Sequence, residues 1–421
     1  IRRGDLSHEE SEADILIESA ESSRVLDQVI VCVDADAFFC SVEERYDPSL
    51  RGKAFAVAAG VLTTASYEAR KYVSRISSFF FFFFFFFLDF SGDNGMASYI
   101  AKKLCPHLLM IKPNFTRYST ASDSMMNVLR RFDQNLSPVS FDECFLNVTS
   151  YCTESKMSPG DLVSLIRKEV LDITGLTVSA GIGPNSMIAK IAADLKKPNG
   201  QYECPSTRLD SMKFMENLPV RKVPGIGRVT ERWLEAVGVK ICGDVWKFRG
   251  KLYLMKSEAS FDLLIRAYLG IGKTEIRPSA RQSRQSVGCE TSFQGTSSRL
   301  ELFGKLEKLS QELAEDLAQQ GFSGRTLTLK VKLDTFEVLS RSITRQSIYS
   351  AEDLLKFSSA LLEREIVNRQ MSYDRGETVQ GCGGNRELTV RLLGLKVRNR
   401  LFPHPLLHIL INICQSKGYA P

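Results

Sequence analysis

The sequence has little of what builds disulfide scaffolds, zinc fingers and several kinds of enzyme site. It contains ten cysteines and four histidines, but no Cys-x-x-Cys pair. Scattered single cysteines are typical of reduced thiols in an intracellular compartment, so they argue against a disulfide framework and against zinc fingers. The sequence also has no Walker loop, no Ser-His-Asp signature and no histidine placed as a general base. Its chemistry must therefore come from carboxylates, aromatic rings and basic side chains.

Charge is unevenly distributed along the chain. The net charge is only +6 over 421 residues, but the segment before Val29 is acidic, so the remainder is more basic than the total suggests. A basic body favours a polyanionic partner. Residues 1–28 are predicted as an acidic, exposed helical extension. The chain starts at Ile1 without a methionine, so we expect a fragment whose true terminus is missing, and no signal peptide is recognisable.

Two acidic segments each adjoin a strand-like run. Ser140–Cys144 contains Asp142 and Glu143 and precedes an apolar run, while the β-branched run Val29–Val33 leads into Asp34. Neighbouring strands would bring these carboxylates together, where they repel unless cations lie between them. Magnesium prefers such oxygen ligands and leaves positions open for substrate phosphates. Taken alone, an Asp-x-Asp after a strand also occurs in sugar-nucleotide transferases and aspartyl phosphatases, and a lone Asp-Glu pair is usually a solvated turn.

Residues around the first acids suggest a nucleotide site. Phe38 and Phe39 follow the first strand, where one ring can pack beneath a nucleotide sugar, although paired aromatics at a strand end are usually core. Tyr67 and Arg70 share one helix face that suits phosphate oxygens, the alternative being a solvated face. Lys197 lies in a turn from which it can reach a triphosphate. Thr63–Ser66 is expected to be a turn.

A helix–hairpin–helix is the most specific local signal. Val223-Pro-Gly225-Ile-Gly227 lies between two predicted short helices. Its glycines permit a tight turn, and the amides that begin the second helix can face a DNA phosphate. Such a motif contacts phosphates without sequence specificity. The alternative is a glycine-turned helical hairpin used only for packing.

From Ser283 onward the pattern predicts a separate α+β unit. Its strands alternate basic and apolar residues over 325–332 and 391–398. Alternation predicts one face on a core and one basic face outward, suitable for a nucleic-acid backbone.

These motifs, in this order, resemble the Y-family translesion DNA polymerases, in the branch of DNA polymerase kappa and bacterial DinB. The similarity covers roughly residues 29–400. Val33–Phe39 resembles the family's first acidic motif, Tyr67–Arg70 its nucleotide clamp and Ser140–Glu143 its second acidic motif. Residues 197–202 and 218–227 look closest to kappa.

The resemblance implies an α+β multidomain fold with a ferredoxin-like palm, helical fingers, a helix–hairpin–helix thumb and an α+β little finger. The implied boundaries are 1–28 for the extension, 29–39 and 108–205 for the palm, 40–107 for the fingers, 206–282 for the thumb, 283–400 for the little finger and 401–421 for a tail. The implied function is template-dependent synthesis past damaged bases, with two Mg²⁺ ions, Mn²⁺ as a substitute, and dNTPs on a primer–template.

The resemblance also implies site residues. Catalytic metal ligands would be Asp34, Asp142 and Glu143, with the Ala35 carbonyl. Contacts to dNTP would come from Phe38, Phe39, Thr64, Tyr67, Arg70 and Lys197, with Phe39 as the gate against ribose. Contacts to DNA would come from Lys222, Gly225, Gly227, Arg228, Lys330, Lys332, Arg391 and Arg398. A monomer is expected, in the nucleus of a eukaryotic host and without a membrane anchor; a sliding-clamp contact is not readable.

The sequence departs from the family pattern at three places. Ala35 stands where a larger apolar residue is usual, and Phe141 replaces a leucine. The Gly-Val-Arg segment after the Arg70 helix is replaced by residues 73–78 and nine phenylalanines, Phe79–Phe87. That run is too short to span a bilayer, which takes about twenty residues, and it has no periodicity to face a core.

A phenylalanine run is encoded by a thymidine tract, so we hypothesise that residues 73–94 are retained intron; the alternative is a hydrophobic docking loop. The rival to an active polymerase is a catalytically inactive, polymerase-like DNA-binding protein or a defective gene product.

Overall fold

The computed structural model describes residues 6–72, 95–255, 257–278, 284–375 and 387–400. The chain divides into two compact units, residues 1–279 and 280–421. Each mixes helices and sheets, which confirms the expected α+β multidomain class. Across the described ranges, no helix is both long and apolar enough to cross a lipid bilayer. The predicted insert 73–94 and tail 401–421 lie outside the described residues.

The acid-bearing sheet of the first unit has five strands in the order β5-β6-β1-β7-β8. Its strands are β1 (Ile30–Ala35), β5 (Ser137–Pro138), β6 (Glu143–Asn147), β7 (Val178–Gly183) and β8 (Gln201–Glu203). The central strand β1 is antiparallel to both β6 and β7. Its apolar residues are buried because those on each face pack into a separate hydrophobic cluster.

Helices cover both faces of this sheet. They are α2 (Phe38–Tyr46), α5 (Phe115–Leu129), α6 (Thr149–Ser155), α7 (Pro159–Thr174) and α8 (Ser186–Ala193). Val31 and Val33 pack into the larger core, which includes residues of α2, α5 and α7. The alternate residues Ile30 and Cys32 pack against α8 on the opposite face. The two-residue period of the strand therefore decides which β1 side chains lie beside α8.

A second, three-stranded sheet has the order β3-β2-β4. It consists of β2 (Phe55–Ala59), β3 (Val61–Ala65) and β4 (Leu109–Ile111), beside α3 (67–72) and α4 (Ser98–Leu104). Two expectations are corrected here. Residues 63–65 form β3 and not a turn, because they pair with β2. The second segment of the predicted palm began at residue 108, so the strand at 109–111 was expected in the acid-bearing sheet. It pairs instead with β2, in parallel, and belongs to the second sheet.

The remaining described elements of the first unit are helices. They include α1 (Ser7–Ser22), α9 (Arg208–Glu216), a 3₁₀ turn (Val220–Lys222), α10 (Arg228–Val237), α11 (Asp244–Lys247), α12 (Arg249–Met255) and α13 (Glu258–Leu269). α1 was expected to be exposed, but Ala13, Ile17 and Ala20 are buried in the core of these helices. Arg249 fixes the contact through Asp14, with Nε 2.6 Å from Oδ1. The acidic helix is thus part of the packed unit.

The second unit has one four-stranded sheet in the order β11-β10-β12-β9, covered on one face by two long helices. Its elements are β9 (Ser286–Thr296), α14 (Arg299–Gln319), β10 (Gly324–Leu333), β11 (Val338–Ile348), α15 (Ala351–Asp374) and β12 (Val390–Arg400). Burial alternates along β10, with Leu327, Leu329 and Val331 in the core. The expected arrangement of one core face and one outward face is therefore present.

Candidate active site

The two predicted acidic segments meet on adjacent strands of the acid-bearing sheet. The register of β1 and β6 places Asp34 directly opposite Glu143. Side chains paired in this way lie on the same face of a sheet, and for Asp34 this is the α8 face, because Cys32 two residues earlier packs there. Asp142 immediately precedes β6, and its carbonyl oxygen accepts a hydrogen bond from Ala35 N–H at 2.9 Å. The backbone thus brings the three acids to one end of the sheet.

Two lysines form ion pairs with these acids. Lys197 Nζ lies 2.7 Å from Asp34 Oδ1, and Lys190 of α8 forms an ion pair with Glu143. Burial is the main cause that raises the pKa of Asp34 to about 6, against the opposing attraction of Lys197. The nearby carboxylates of Asp142 and Glu143 raise it further. In the metal-free protein Asp34 is therefore harder to ionise than an exposed aspartate, even with Lys197 beside it.

Lys190 was not among the site residues predicted from the sequence. Asn185 begins α8, because its side chain accepts a hydrogen bond from Ile188 N–H at 3.1 Å. This cap fixes the helix start and places Lys190 one turn later, beside the α8 face of the sheet. Only a prediction of which helix covers that face could have identified it.

The donor set suits a hard divalent cation, but it is not preassembled. Within the described residues, no three carboxylate, histidine or cysteine side chains already surround one point as metal ligands do. Asp34 and Glu143 are each engaged by a lysine, and Ser140 Oγ donates to Asp142 Oδ1 at 2.5 Å. Carboxylate oxygens on one sheet face fit Mg²⁺ chemically. To bind it, they would have to exchange an ammonium or hydroxyl partner for the ion.

The two phenylalanines after β1 occupy different environments. Phe38 is 2% exposed and its side chain packs in the larger core, as expected for paired aromatics at a strand end. Its predicted contact with the dNTP stays a prediction. Phe39 is half-buried and stacks on Tyr118, with ring centroids 4.1 Å apart and planes at 16°. The Tyr118 hydroxyl donates to Glu43 Oε1 at 2.7 Å. Phe39 is thus held by a buried tyrosine that the sequence did not reveal.

Two departures from the family pattern lie beside these groups. Ala35 is 3% exposed within the larger core. Phe141 is 41% exposed, and its ring centroid lies 6.2 Å from that of Phe39. Phe141 therefore extends the aromatic cluster toward the acids.

α3 carries the predicted phosphate-binding pair on one face. Arg70 Cζ lies 5.0 Å from the Tyr67 ring centroid, and Arg70 Nε donates to Ala65 O at 3.1 Å. The Tyr67 hydroxyl donates to Asp36 Oδ1 at 3.4 Å, which connects the start of α3 to the end of β1. Burial, helped by Asp36, raises the pKa of Tyr67 to about 12, so its hydroxyl stays protonated at neutral pH. Thr64 lies half-buried in β3.

The predicted hairpin precedes α10. Gly225 has φ +98°, a left-handed conformation that a residue with Cβ adopts only with strain, and Gly227 is the N-cap of α10. Ile226 between them is buried in the helical core, while both glycines and Lys222 are exposed. Arg228 is half-buried at the first position of α10. The hairpin therefore presents backbone amides and a lysine to solvent on a fixed scaffold.

The outward face of the second unit's sheet carries basic residues with partners of their own. The residues predicted there to contact DNA are Lys330, Lys332, Arg391 and Arg398. Lys330 Nζ lies 2.8 Å from Glu290 Oε2. Lys332 Nζ and Arg391 Cζ lie 4.8 Å and 4.0 Å from the ring centroid of Phe336. This face is basic, with one acidic residue and one exposed aromatic ring.

Three family models match the chain. The impB/mucB/samB family matches residues 33–77 and 93–194, its C-terminal domain matches 284–404, and the helix–hairpin–helix motif of the same family matches 210–239. The first match is interrupted over residues 78–92, which include the nine phenylalanines.

Curated relatives are similar to most of the chain. DNA polymerase kappa of Arabidopsis thaliana is 37% identical over 365 residues, covering 86% of this chain and 51% of the relative. DNA polymerase kappa of Homo sapiens is 31% identical over 423 residues, covering 82% and 46%. DNA polymerase IV of Xanthomonas campestris is 34% identical over 350 residues, covering 82% and 91%. The chain thus spans about half the length of these kappa relatives.

A solved Y-family DNA polymerase chimera of Dbh and Dpo4 has a similar fold. Its TM-score is 0.67 at 23% identity, and the match covers 89% of this chain and 99% of that chain.

Proposed function

Since the chain belongs to the Y family of DNA polymerases, we propose that it is a template-dependent DNA polymerase of the translesion type, which extends a primer past damaged template bases. The observation that carries this proposal is the register of Asp34 opposite Glu143, with Asp142 beside them. Phosphoryl transfer needs little covalent help from the protein and depends on positioned charge. A cluster of acids with lysines beside it supplies that charge.

Y-family DNA polymerases need divalent metal ions. In the proposed function, two Mg²⁺ ions, for which Mn²⁺ could substitute, would be held by Asp34, Asp142, Glu143 and the Ala35 carbonyl. Bound there, the ions would activate the primer hydroxyl and stabilise the leaving oxygen. The raised pKa of Asp34 supports the proposal, because a carboxylate destabilised by burial and by like charge favours a bound cation.

The remaining polar groups would bind the dNTP. Lys197 and Arg70 carry the positive charge that triphosphate oxygens need, and Tyr67 supplies a protonated hydroxyl as a donor. Thr64 lies three residues before Tyr67 and is proposed as a further donor. Phe39, stacked on Tyr118, would exclude a ribose 2′-hydroxyl sterically.

Each unit has its own proposed contact with the primer–template. In the first unit, Lys222, Arg228 and the amides near Gly225 and Gly227 would bind phosphates. In the second unit, the outward sheet face with Lys330, Lys332, Arg391 and Arg398 would lie along the DNA backbone. These contacts carry little sequence information, as suits an enzyme that reads its template by base pairing. We propose a monomer, located in the nucleus where the host is eukaryotic.

A second candidate is a catalytically inactive DNA-binding protein with the same fold. The interruption of the family match at 78–92, directly after the Arg70 helix, favours it. Magnesium-dependent primer extension separates the two candidates. We expect the purified chain to extend a primer, the Glu143→Gln variant to bind the primer–template without extending it, and the exposed-acid control Asp172→Asn to behave like wild type. DNA binding without extension by wild type would establish the second candidate.

A further inference from the structure

Asp36 is an acid for which the proposed chemistry has no role. It follows β1 two residues after Asp34, but only 2% of it is exposed. Its carboxylate accepts hydrogen bonds from Ser179 Oγ at 2.7 Å and from Asn199 N–H at 2.8 Å. It also accepts the weaker bond from the Tyr67 hydroxyl at 3.4 Å.

The three donors belong to three different parts of the first unit. Ser179 lies in β7, Asn199 in the turn that carries Lys197, and Tyr67 at the start of α3. A buried carboxylate is tolerated only when such donors satisfy it, so the donors and Asp36 hold one another in place. One side chain therefore connects the sheet to two segments proposed to bind the triphosphate.

The turn is also held from its outer side. Arg167 of α7 donates from Nη2 to Asn199 Oδ1 at 2.7 Å and also to the Asn199 carbonyl oxygen. Asn199 has φ +48°, in the left-handed region that asparagine adopts more readily than most other residues. Asp36 and Arg167 thus clamp Asn199, two residues after Lys197.

We propose, resting on the polymerase function above, that Asp36 is a positioning residue for nucleotide binding. It sets the Lys197 turn and the Tyr67 end of α3 relative to each other, so that both side chains reach the same triphosphate. A carboxylate can accept from every donor around it. An asparagine keeps one acceptor oxygen for the Asn199 N–H, but it turns an amide N–H₂ toward the Ser179 and Tyr67 hydroxyls, which must then accept. It also replaces charge-assisted hydrogen bonds by weaker neutral ones, which loosens the hold on the turn and on α3.

The test compares Asp36→Asn with Ser179→Ala. Ser179 is fully buried and contacts the same carboxylate, but it belongs to neither the turn nor α3. We expect Asp36→Asn to weaken binding of a non-hydrolysable dNTP analogue to the protein–DNA complex about tenfold, and to raise the dNTP KM similarly. We expect kcat and primer–template affinity to change much less. Ser179→Ala should leave nucleotide affinity within about threefold.

A double-mutant cycle tests whether the effect runs through Lys197. In the Asp36→Asn background, Lys197→Ala should cost less nucleotide affinity than it does in wild type. Independent effects would overturn the proposal, as would an Asp36→Asn variant with wild-type nucleotide affinity. Equal losses of nucleotide affinity in Asp36→Asn and Ser179→Ala would also overturn it, since they would indicate only local loosening.

Two further arms keep the test decisive. If Asp36→Asn does not fold, Arg167→Lys releases the outer side of the clamp and should raise the nucleotide KM several-fold; an unchanged KM would overturn the proposal. Wild-type protein that binds neither dNTP nor primer–template would refute the polymerase function itself. An active wild-type enzyme whose nucleotide affinity is unchanged by Asp36→Asn would refute only the role of Asp36.

Discussion

Replacing Asp34 by asparagine should abolish nucleotide addition and yet stabilise the metal-free protein at neutral pH. Burial raises the pKa of Asp34 to about 6, whereas an aspartate in an unfolded chain titrates near about 4. Each pKa unit corresponds to about 1.4 kcal/mol. The ionised carboxylate therefore costs the folded, metal-free protein about 3 kcal/mol at pH 7.

The sign of the pH dependence follows from the raised pKa. A group whose folded-state pKa exceeds its unfolded value contributes its full stability below the unfolded pKa and loses it as the pH rises through the folded pKa. For Asp34 this window runs from about pH 4 to just above pH 6. An asparagine does not titrate, so the variant should gain stability relative to wild type across that window.

The assay is denaturant unfolding of both proteins in EDTA at pH 4.5 and pH 7.5. From pH 4.5 to pH 7.5 the stability of the variant relative to wild type should rise by about 2 kcal/mol. Added Mg²⁺ should stabilise wild type but not Asp34→Asn. Asp172→Asn, an exposed-acid control on α7, should match wild type in its stability at both pH values and in its stabilisation by Mg²⁺. A wild-type-to-variant difference that does not change with pH would refute the buried-charge reasoning. Wild-type extension by Asp34→Asn would refute the metal assignment.

Three further predictions concern other parts of the chain. Phe39→Ala should raise ribonucleotide incorporation far more than deoxynucleotide incorporation in single-nucleotide kinetics, because the stacked ring excludes the 2′-hydroxyl. An unchanged ratio of ribonucleotide to deoxynucleotide incorporation would indicate that the ring serves only core packing. Gly225→Ala should weaken primer–template binding several-fold, because φ +98° disfavours a Cβ by about 1–2 kcal/mol. The control Gly238→Ala replaces a glycine at φ +104° after α10, and it should lower the unfolding temperature without changing DNA affinity. Equal DNA affinities for the two variants would exclude the hairpin as a phosphate-binding site. Sequencing the mature transcript should show no codons for Phe79–Phe87 in the dominant message; their presence would refute intron retention.

Much of the fold and several candidate residues could be predicted because their signals are local. The β-branched run before Asp34 specifies a buried strand because it is continuously apolar. Gly225 specifies the hairpin turn through the left-handed conformation that glycine permits. Alternating basic and apolar residues likewise predict the two faces of β10. These properties depend on neighbours within a few positions along the chain.

The tertiary structure alone decided the contacts between distant segments. Strand register places Asp34 opposite Glu143. A parallel pairing between residues more than fifty positions apart joins β4 to β2 and not to the acid-bearing sheet. Lys190 reaches Glu143 only because α8 covers that face of the sheet. Asp36 lies within the same short motif as Asp34, yet its partners come from three separate segments. Local sequence determines which side chains are available and which way a strand presents them, whereas packing of distant segments determines which of them meet.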